Sequence, residues 1–330
     1  MLTPPAAFKA DRPHPALADW LERLNRLVAD QAARGLEATP VTVRESMASM
    51  TASLVTRPVE LPLVRDLMIA TDDYPVPARL YDPAPERPKP VLLFFHGGGH
   101  MAGDIRVYDP IARRLAEASG QLVVAVEYRL APECPYPLGL RDCHAAARHL
   151  WPALERCGCR VLPRLSLVGD SGGGALAATV SALAQDDADL NIDKQVLIYP
   201  SLDYTLEHPS LTENGRGYLL ETARIRWYFD HYFQDGGAPD EQRRRDASPL
   251  HMPVSPRLPA TLVLTAGFCP LRDEGVAYVE RLQAAGVDAR HQPFPDMIHA
   301  YLNLEDLVPD ACAESYRVIG EFLNHQATAP

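Results

Sequence analysis

The sequence predicts an α/β fold with a mostly parallel central sheet and helices on both faces. From residue 91 onward, short apolar runs alternate with helix-favouring segments, the order expected of such a sheet. The run 91–95 (VLLFF) is continuously apolar, which is typical of a strand buried on both faces. Residues 169–173 (GDSGG) join another apolar run to an alanine-rich segment, so a tight turn is predicted between a strand and a helix.

The elements of this layer follow from apolar periodicity. A turn signal at 72–75 predicts that the first two strands form a hairpin at the sheet edge. The predicted strands are 61–69, 76–81, 91–95, 122–126, 165–168, 196–199, 261–265 and 289–294. The predicted helices are 106–119, 138–155, the alanine-rich segment up to 184, 271–285 and 310–325.

Two segments fall outside this alternation and are predicted to form a helical cap. Residues 1–55 contain two helix patterns, 16–34 and 41–55, with no parallel-sheet strand before them. Residues 203–255 form a long insertion with an aromatic-rich helix over 221–234. The catalytic domain is therefore predicted to comprise 56–202 and 256–330, with 1–55 and 203–255 as the two parts of the cap.

Composition excludes several functional classes. The formal charge of −11 argues against a nucleic-acid partner, because no basic stripe exists to neutralise phosphates. No stretch approaches the ~20 apolar residues of a membrane span, and the amino terminus lacks a secretory signal pattern, which predicts a cytoplasmic protein. The six cysteines lack the spacing of a disulfide framework, and Cys157 and Cys159 would supply only half of a metal site.

Ser171 is the predicted nucleophile and His299 its predicted base. The Gly-x-Ser-x-Gly pattern also occurs by chance in glycine-rich loops, but a strand before it and a helix after it favour the catalytic interpretation. A serine hydroxyl needs a base at neutral pH. Of eleven histidines, His299 lies between the last predicted strand and the last predicted helix, where this topology carries its base. The alternative is an ordinary histidine of a surface loop.

A glycine run predicts where the negative charge of an acyl-transfer intermediate is bound. Residues 96–99 (HGGG) follow the strand 91–95 directly. We expect the amides of Gly97, Gly98 and Gly172 to form the oxyanion hole. A phosphate-binding loop is the alternative, but neither its lysine nor a Gly-x-Gly-x-x-Gly pattern is present.

Together these motifs resemble a known family. HGGG at 96–99, YRLAPE at 128–133, GDSGG at 169–173, PLRDEG at 270–275 and the late His299 are similar to the bacterial hormone-sensitive-lipase-like (family IV) esterases of the α/β-hydrolase superfamily. The match runs from about residue 60 to 325. The resemblance implies an α/β-hydrolase fold with a helical cap, and hydrolysis of short to medium acyl esters without metal or cofactor.

The chain departs from this family at one position. Cys269 stands before Pro270 and Leu271 where the resemblance implies the catalytic aspartate. A thiol with a pKa near 8.5 is a weak acceptor for an imidazole, so we expect reduced catalysis. Asp273 and Asp296 are alternative carboxylates that would replace the missing acid. A nucleophilic role for Cys269 is weaker, since the turn already presents Ser171.

The predicted function is a serine carboxylesterase acting on a small-molecule ester. A catalytically impaired ligand-binding protein on the same fold is a second interpretation, and an amidase or lactonase is a third. Dimers are common among proteins resembling this one, so a homodimer is a further expectation.

Overall fold

An eight-stranded sheet organises the molecule. The computed structural model describes residues 8–325, and the strand order is β1-β2-β4-β3-β5-β6-β7-β8. The strands are β1 Leu63–Ile69, β2 Val76–Asp82, β3 Lys89–Phe95, β4 Leu122–Val126, β5 Val161–Asp170, β6 Lys194–Ile198, β7 Ala260–Phe268 and β8 Ala289–Ile298. Pairing is antiparallel at β1–β2 and β2–β4 and parallel from β4 to β8, so the predicted edge hairpin and parallel layer are both confirmed.

Eleven α-helices lie within residues 8–325. They are α1 Pro15–Ala33, α2 Pro40–Leu54, α3 Asp109–Ser119, α4 Leu138–Arg148, α5 Leu150–Arg156, α6 Gly172–Ala184, α7 Ser210–Glu213, α8 Thr222–Phe233, α9 Glu241–Ala247, α10 Arg272–Ala284 and α11 Pro309–Asn324. None of these is long and apolar enough to cross a membrane.

Several boundaries differ from the sequence-based expectation, and two of these differences change how the elements are connected. The helix predicted over 138–155 is two helices that meet at His149. Pro152 has no N–H to donate to the carbonyl of Arg148, so the hydrogen-bond ladder cannot continue through this point. The last strand was expected to end at 294, but β8 continues to Ile298 after an irregularity in its pairing with β7. His299 therefore follows a strand directly.

The sheet separates two apolar layers. Along β3, Leu92 and Phe94 pack into one buried cluster, whereas Val91, Leu93 and Phe95 pack into the other. Successive side chains of a strand point to opposite faces, so a continuous apolar run is what a doubly covered strand requires. The predicted burial of 91–95 on both faces is confirmed.

The two segments predicted as a cap contact one another and the sheet layer. Leu17 and Leu21 of α1 are buried in the same cluster as Leu92 and Phe94. Lys9 pairs with Glu213 of the insertion at 2.7 Å. The division at 55, 202 and 255 stays a prediction, and residues 1–7 and 326–330 of the predicted ranges lie outside the described part of the chain.

Candidate active site

Ser171 occupies a strained turn between β5 and α6. Its backbone has φ 51° and ψ −121°, a region that non-glycine residues rarely adopt and that costs ~1–3 kcal/mol. Neighbouring backbone groups hold this conformation: the amide of Ser171 donates to Ile198 O at 2.9 Å, and its carbonyl accepts from Ser201 N at 3.0 Å. The turn therefore lifts the hydroxyl away from the strand and towards the edge where the parallel strands end.

The turn depends on glycine because backbones approach closely there. A Cβ on Gly173 would lie 2.0 Å from the carbonyl oxygen of Phe95 in β3. A Cβ on Gly169 would lie 2.1 Å from the carbonyl oxygen of Gly173. Neither neighbour is a flexible side chain, so α6 sits at this distance from β3 only when both positions lack a side chain.

His299 lies within hydrogen-bond distance of the serine. Its Nε2 is 2.9 Å from Ser171 Oγ, and the imidazole ring packs edge-on against Tyr199 with centroids 4.9 Å apart. The ring is 5% exposed, and this burial lowers its pKa to about 3. The imidazole is therefore neutral throughout the neutral pH range, and its tautomer decides whether Nε2 can accept a proton.

Cys269, at the end of β7, faces the other nitrogen of this imidazole. Its Sγ is 3.1 Å from His299 Nδ1, and the amide of Leu271 donates to the same sulfur at 3.3 Å. Burial raises the pKa of the thiol well above its ordinary value, so the sulfur keeps its proton at neutral pH. The position implied for a carboxylate thus holds an uncharged group.

The two alternative carboxylates are engaged elsewhere or stand apart. Asp273 accepts from Arg272 Nε at 2.8 Å and from the amide of Ser210 at 2.9 Å. The carboxylate of Asp296 has no hydrogen-bond or ion-pair partner within residues 8–325; only its backbone carbonyl accepts a bond, from the amide of His14 at 2.9 Å. Within residues 8–325, neither carboxylate forms a hydrogen bond to His299. Cys269 alone of the three candidates contacts it.

The glycine loop requires a correction to the expected oxyanion hole. The Gly97 amide donates to Asp170 Oδ1 at 2.6 Å, so it is not free to bind an oxyanion. The amides of Gly98, Gly99 and Gly172 donate to no acceptor among residues 8–325. Gly98 has φ +114°, a conformation that favours glycine. The free amides are therefore those of Gly98, Gly99 and Gly172, one position further along the loop than expected.

Asp170 lies within the GDSGG motif, but no sequence pattern predicts its contacts. Besides Gly97, it accepts a hydrogen bond from Tyr108 Oη at 3.1 Å. It is almost fully buried, and desolvation raises its pKa to about 7. This carboxyl joins the residue before the nucleophile to the loop that follows β3, so it fixes the glycine loop relative to Ser171.

Aromatic side chains of the insertion cover the site. Tyr232 of α8 stacks on His100 with ring centroids 4.0 Å apart, and Tyr204 Oη lies 3.1 Å from His100 Nε2. A Cβ on Gly99 would lie 2.6 Å from Tyr228 Cγ. These contacts put part of the aromatic run of α8 directly over the glycine loop.

Comparison with known proteins identifies the family. The profile of a family described as alpha/beta hydrolase fold matches residues 92–303. The esterase LipI of Mycobacterium tuberculosis is 35% identical over 271 residues, which cover 77% of this chain and 79% of that protein. The ethyl acetate hydrolase of Pseudomonas putida is 34% identical over 253 residues, covering 75% of this chain and 78% of that protein.

Solved structures agree with this assignment. The hyperthermophilic esterase from the archaeon Pyrobaculum calidifontis superposes with a TM-score of 0.83 at 30% identity, covering 94% of this chain and 98% of that one. A thermostable esterase from Pseudomonas putida gives a TM-score of 0.83 at 30% identity, covering 95% and 97%. The expected fold class is confirmed, and so is the expectation of a carboxylic ester hydrolase. The chain belongs to the α/β-hydrolase fold family, among the hormone-sensitive-lipase-like esterases.

Proposed function

We propose that this carboxylic ester hydrolase works through Ser171 as nucleophile and His299 as general base, with Cys269 as a neutral and inefficient substitute for the acid. The observation that carries the proposal is the 2.9 Å distance between Ser171 Oγ and His299 Nε2 at a strained turn. The amides of Gly98, Gly99 and Gly172, which donate to no acceptor in the part of the chain that the structure describes, support an oxyanion hole beside it.

The first half of the reaction transfers the acyl group to the enzyme. Ser171 Oγ bonds to the ester carbonyl carbon while His299 Nε2 takes the hydroxyl proton. The carbonyl oxygen becomes negatively charged and accepts hydrogen bonds from the free amides; one such donor is typically worth about 10²–10³ in turnover. The carbon–oxygen bond to the alcohol then breaks, and His299 returns the proton to the departing oxygen.

The second half repeats these steps with water. His299 takes a proton from water as its oxygen bonds to the acyl carbon, and the bond to Ser171 Oγ breaks. The carboxylic acid leaves, and the serine regains its proton from the imidazole. No redox step or external group is needed, because each proton that His299 takes is returned within the same half-reaction.

Cys269 limits this cycle through the tautomer of His299. Because the amide of Leu271 already donates to Sγ, the thiol proton is directed towards His299 Nδ1. An imidazole that accepts at Nδ1 carries its own proton on Nε2 and cannot take one from Ser171. A carboxylate would accept from both Nδ1 and Leu271 and would hold the reactive tautomer. In a serine protease, a neutral residue at the acid position lowers turnover about 10⁴-fold.

The proposed substrates are esters of short to medium acyl chains. The relative from Pseudomonas putida is named ethyl acetate hydrolase, and ethyl acetate is an ester with a short acyl chain. Here the aromatic rings of Tyr204 and Tyr232 close over the glycine loop. A covered site of this kind favours small esters over bulky ones.

Hydrolysis of p-nitrophenyl butyrate tests the nucleophile. We expect Ser171→Ala to remove the enzymatic rate while the protein keeps its circular dichroism spectrum. A Ser171→Ala protein that hydrolyses the ester as fast as the parent chain would reject the proposal. Ser166→Ala, a buried serine earlier in the same strand, provides the control for loss of a hydroxyl.

Labelling with an organophosphate separates an impaired enzyme from a ligand-binding protein. A serine that His299 activates forms a covalent phosphoserine ester, and mass spectrometry locates it. We expect the adduct on Ser171. A chain that binds ester-like ligands but resists the reagent at every serine would favour the ligand-binding interpretation.

Two further expectations stay proposals. A homodimer is expected from the resemblance, and light scattering distinguishes it from a monomer of 36.3 kDa. A cytoplasmic location is tested by cell fractionation.

A further inference from the structure

His100 is a buried imidazole beside the nucleophile that the proposed mechanism does not use. It follows the HGGG run directly and has φ +61°, which is unusual for a residue with a side chain. The side chain is 2% exposed. Its Nδ1 has no hydrogen-bond partner among residues 8–325. A buried polar atom without a partner costs ~1–3 kcal/mol, which a hydrogen bond to a bound molecule would offset.

The ring is held on three sides. Tyr232 stacks on it with an interplanar angle of 12°, and Tyr204 Oη lies 3.1 Å from Nε2. On the third side, a Cβ on Gly172 would lie 3.3 Å from His100 Cε1 and 3.4 Å from Nδ1. The unpartnered nitrogen therefore lies next to the residue that follows the nucleophile.

The contact with Tyr204 sets which nitrogen carries the proton. His100 Nε2 is the hydrogen-bond partner of the Tyr204 hydroxyl among residues 8–325. A buried phenol needs an acceptor for its proton, so the hydroxyl donates to Nε2. The proton of the neutral imidazole is then on Nδ1. Burial lowers the pKa of His100 to about 3, so the ring stays neutral at working pH.

We propose that His100 Nδ1–H is a substrate-binding donor, which gives the enzyme a preference for esters whose acyl chain carries a hydrogen-bond acceptor such as an ether or keto oxygen. This inference rests on the proposed function of Ser171 and His299. It assigns a specificity role to His100, with Tyr204 as the residue that fixes its tautomer.

The position of the ring favours the acyl side of the ester. His299 must return a proton to the departing alcohol, so the alcohol portion lies on the His299 side of Ser171. His100 directly follows the loop that carries the amides of Gly98 and Gly99, and its ring lies next to Gly172. Within the described part of the chain, the ring packs against Tyr204 and Tyr232 and forms no hydrogen bond to His299.

A pair of nearly isosteric esters tests the preference. The p-nitrophenyl esters of butanoate and methoxyacetate differ by one methylene replaced with an ether oxygen. The measured quantity is the ratio of kcat/KM for methoxyacetate to that for butanoate, since intrinsic reactivity cancels when enzyme variants are compared. We expect His100→Phe, which keeps a ring to stack on Tyr232, to lower this ratio about fivefold, as loss of one hydrogen bond predicts.

A second variant distinguishes loss of the N–H donor from a folding defect. His100→Asn places an amide N–H where Nδ1 stands and tolerates positive φ, so we expect it to retain most of the parent ratio. His149→Gln, a histidine substitution between α4 and α5, should leave the ratio unchanged. Butanoate hydrolysis should persist in His100→Phe, in contrast to Ser171→Ala, so failure of this proposal is distinct from failure of the catalytic one.

Three results would overturn the assignment. The first is an unchanged ratio in His100→Phe. The second is an equal loss of kcat/KM for both esters, which would make His100 part of the oxyanion hole or of the scaffold. The third is an effect seen with butyl and 2-methoxyethyl butanoate but not with the two acyl esters, which would move the subsite to the alcohol side.

Discussion

The sulfur atom of Cys269 lies where the proposed mechanism would place a carboxylate oxygen. Cys269 occupies a position where His299 Nδ1 and the amide of Leu271 converge, an arrangement suited to an acceptor with two lone pairs and a negative charge. The thiol fills the space of a carboxylate but carries no negative charge. Catalytic groups that act as a unit lose activity together when one of them is changed. In the proposed mechanism, a substitution at Cys269 would therefore alter proton transfer from Ser171 to the opposite side of the His299 ring.

Cys269→Asp should raise turnover by two or more orders of magnitude, because a carboxylate holds the reactive tautomer and stabilises the imidazolium. The measurement is kcat for p-nitrophenyl butyrate. Cys269→Asn is the matched control, since it has the shape of aspartate without the charge and should give no such gain. Equal rates for the parent chain and the Asp variant would show that another group already serves His299.

The pH dependence of kcat/KM should shift when Cys269 is replaced by aspartate. His299 must be deprotonated to act as base, so activity falls as pH drops through its pKa, which burial lowers to about 3. We therefore expect kcat/KM of the parent chain to persist below the ordinary histidine value of about 6.5. In Cys269→Asp the new negative charge raises the pKa, and the acid limb should shift upwards. If activity fell at the same acidic pH in both proteins, this expectation would be contradicted.

At the scale of elements, the site depends on how closely one helix approaches one strand. Helix α6 begins at Gly172, and Gly173 faces the carbonyl of Phe95 at the end of β3. The nucleophile and the glycine loop are thus brought together by packing between α6 and β3. Helix propensity would disfavour glycines in this first turn, so close contact overrides local preference here.

Gly173→Ala should destabilise the fold by several kcal/mol, because the new methyl group would lie 2.0 Å from the oxygen of Phe95. Urea denaturation followed by tryptophan fluorescence measures the change. Ala182→Gly, in the same helix away from the contact, should cost only about 1 kcal/mol. If both variants lost the same small amount of unfolding free energy, the close approach of Gly173 to Phe95 would have no role in stability.

At the scale of the whole molecule, one arginine ties the amino-terminal helices to the site. Arg44 of α2 forms a two-point pair with Glu133, at 2.9 and 2.6 Å, and donates to the carbonyls of Met101 at 2.8 Å and Ala131 at 2.9 Å. Met101 lies just beyond the glycine loop. The amino-terminal segment is therefore fastened to the backbone that carries the free amides.

Arg44→Lys should loosen α2, because a lysine cannot reproduce the planar fork that reaches four acceptors. We expect amide hydrogen exchange in α2 to increase about tenfold, equivalent to ~1.4 kcal/mol of local stability, while the central strands stay protected. Arg26→Lys, whose pair with Glu22 is largely exposed, is the control and should change nothing. Unchanged exchange in Arg44→Lys would rule out this anchoring role.

The sequence predicted the sheet layer and the proximity of Ser171 and His299 because local patterns encode both. Apolar runs predict the strands, and the motif around Ser171 together with the position of His299 predicts that the two side chains meet. The Asp170 contact and the position of His100 depend on which backbones meet across the sheet, and no local pattern encodes that. This is why Gly97 was expected in the oxyanion hole although Asp170 occupies its amide.

The bond between Asp170 and Gly97 has a mechanical consequence. It joins the ends of β5 and β3, which are adjacent in the sheet, so Ser171 and the glycine loop are held by the same pair of strands. The distance between Ser171 and this loop is therefore set within the sheet layer, at the ends of two paired strands.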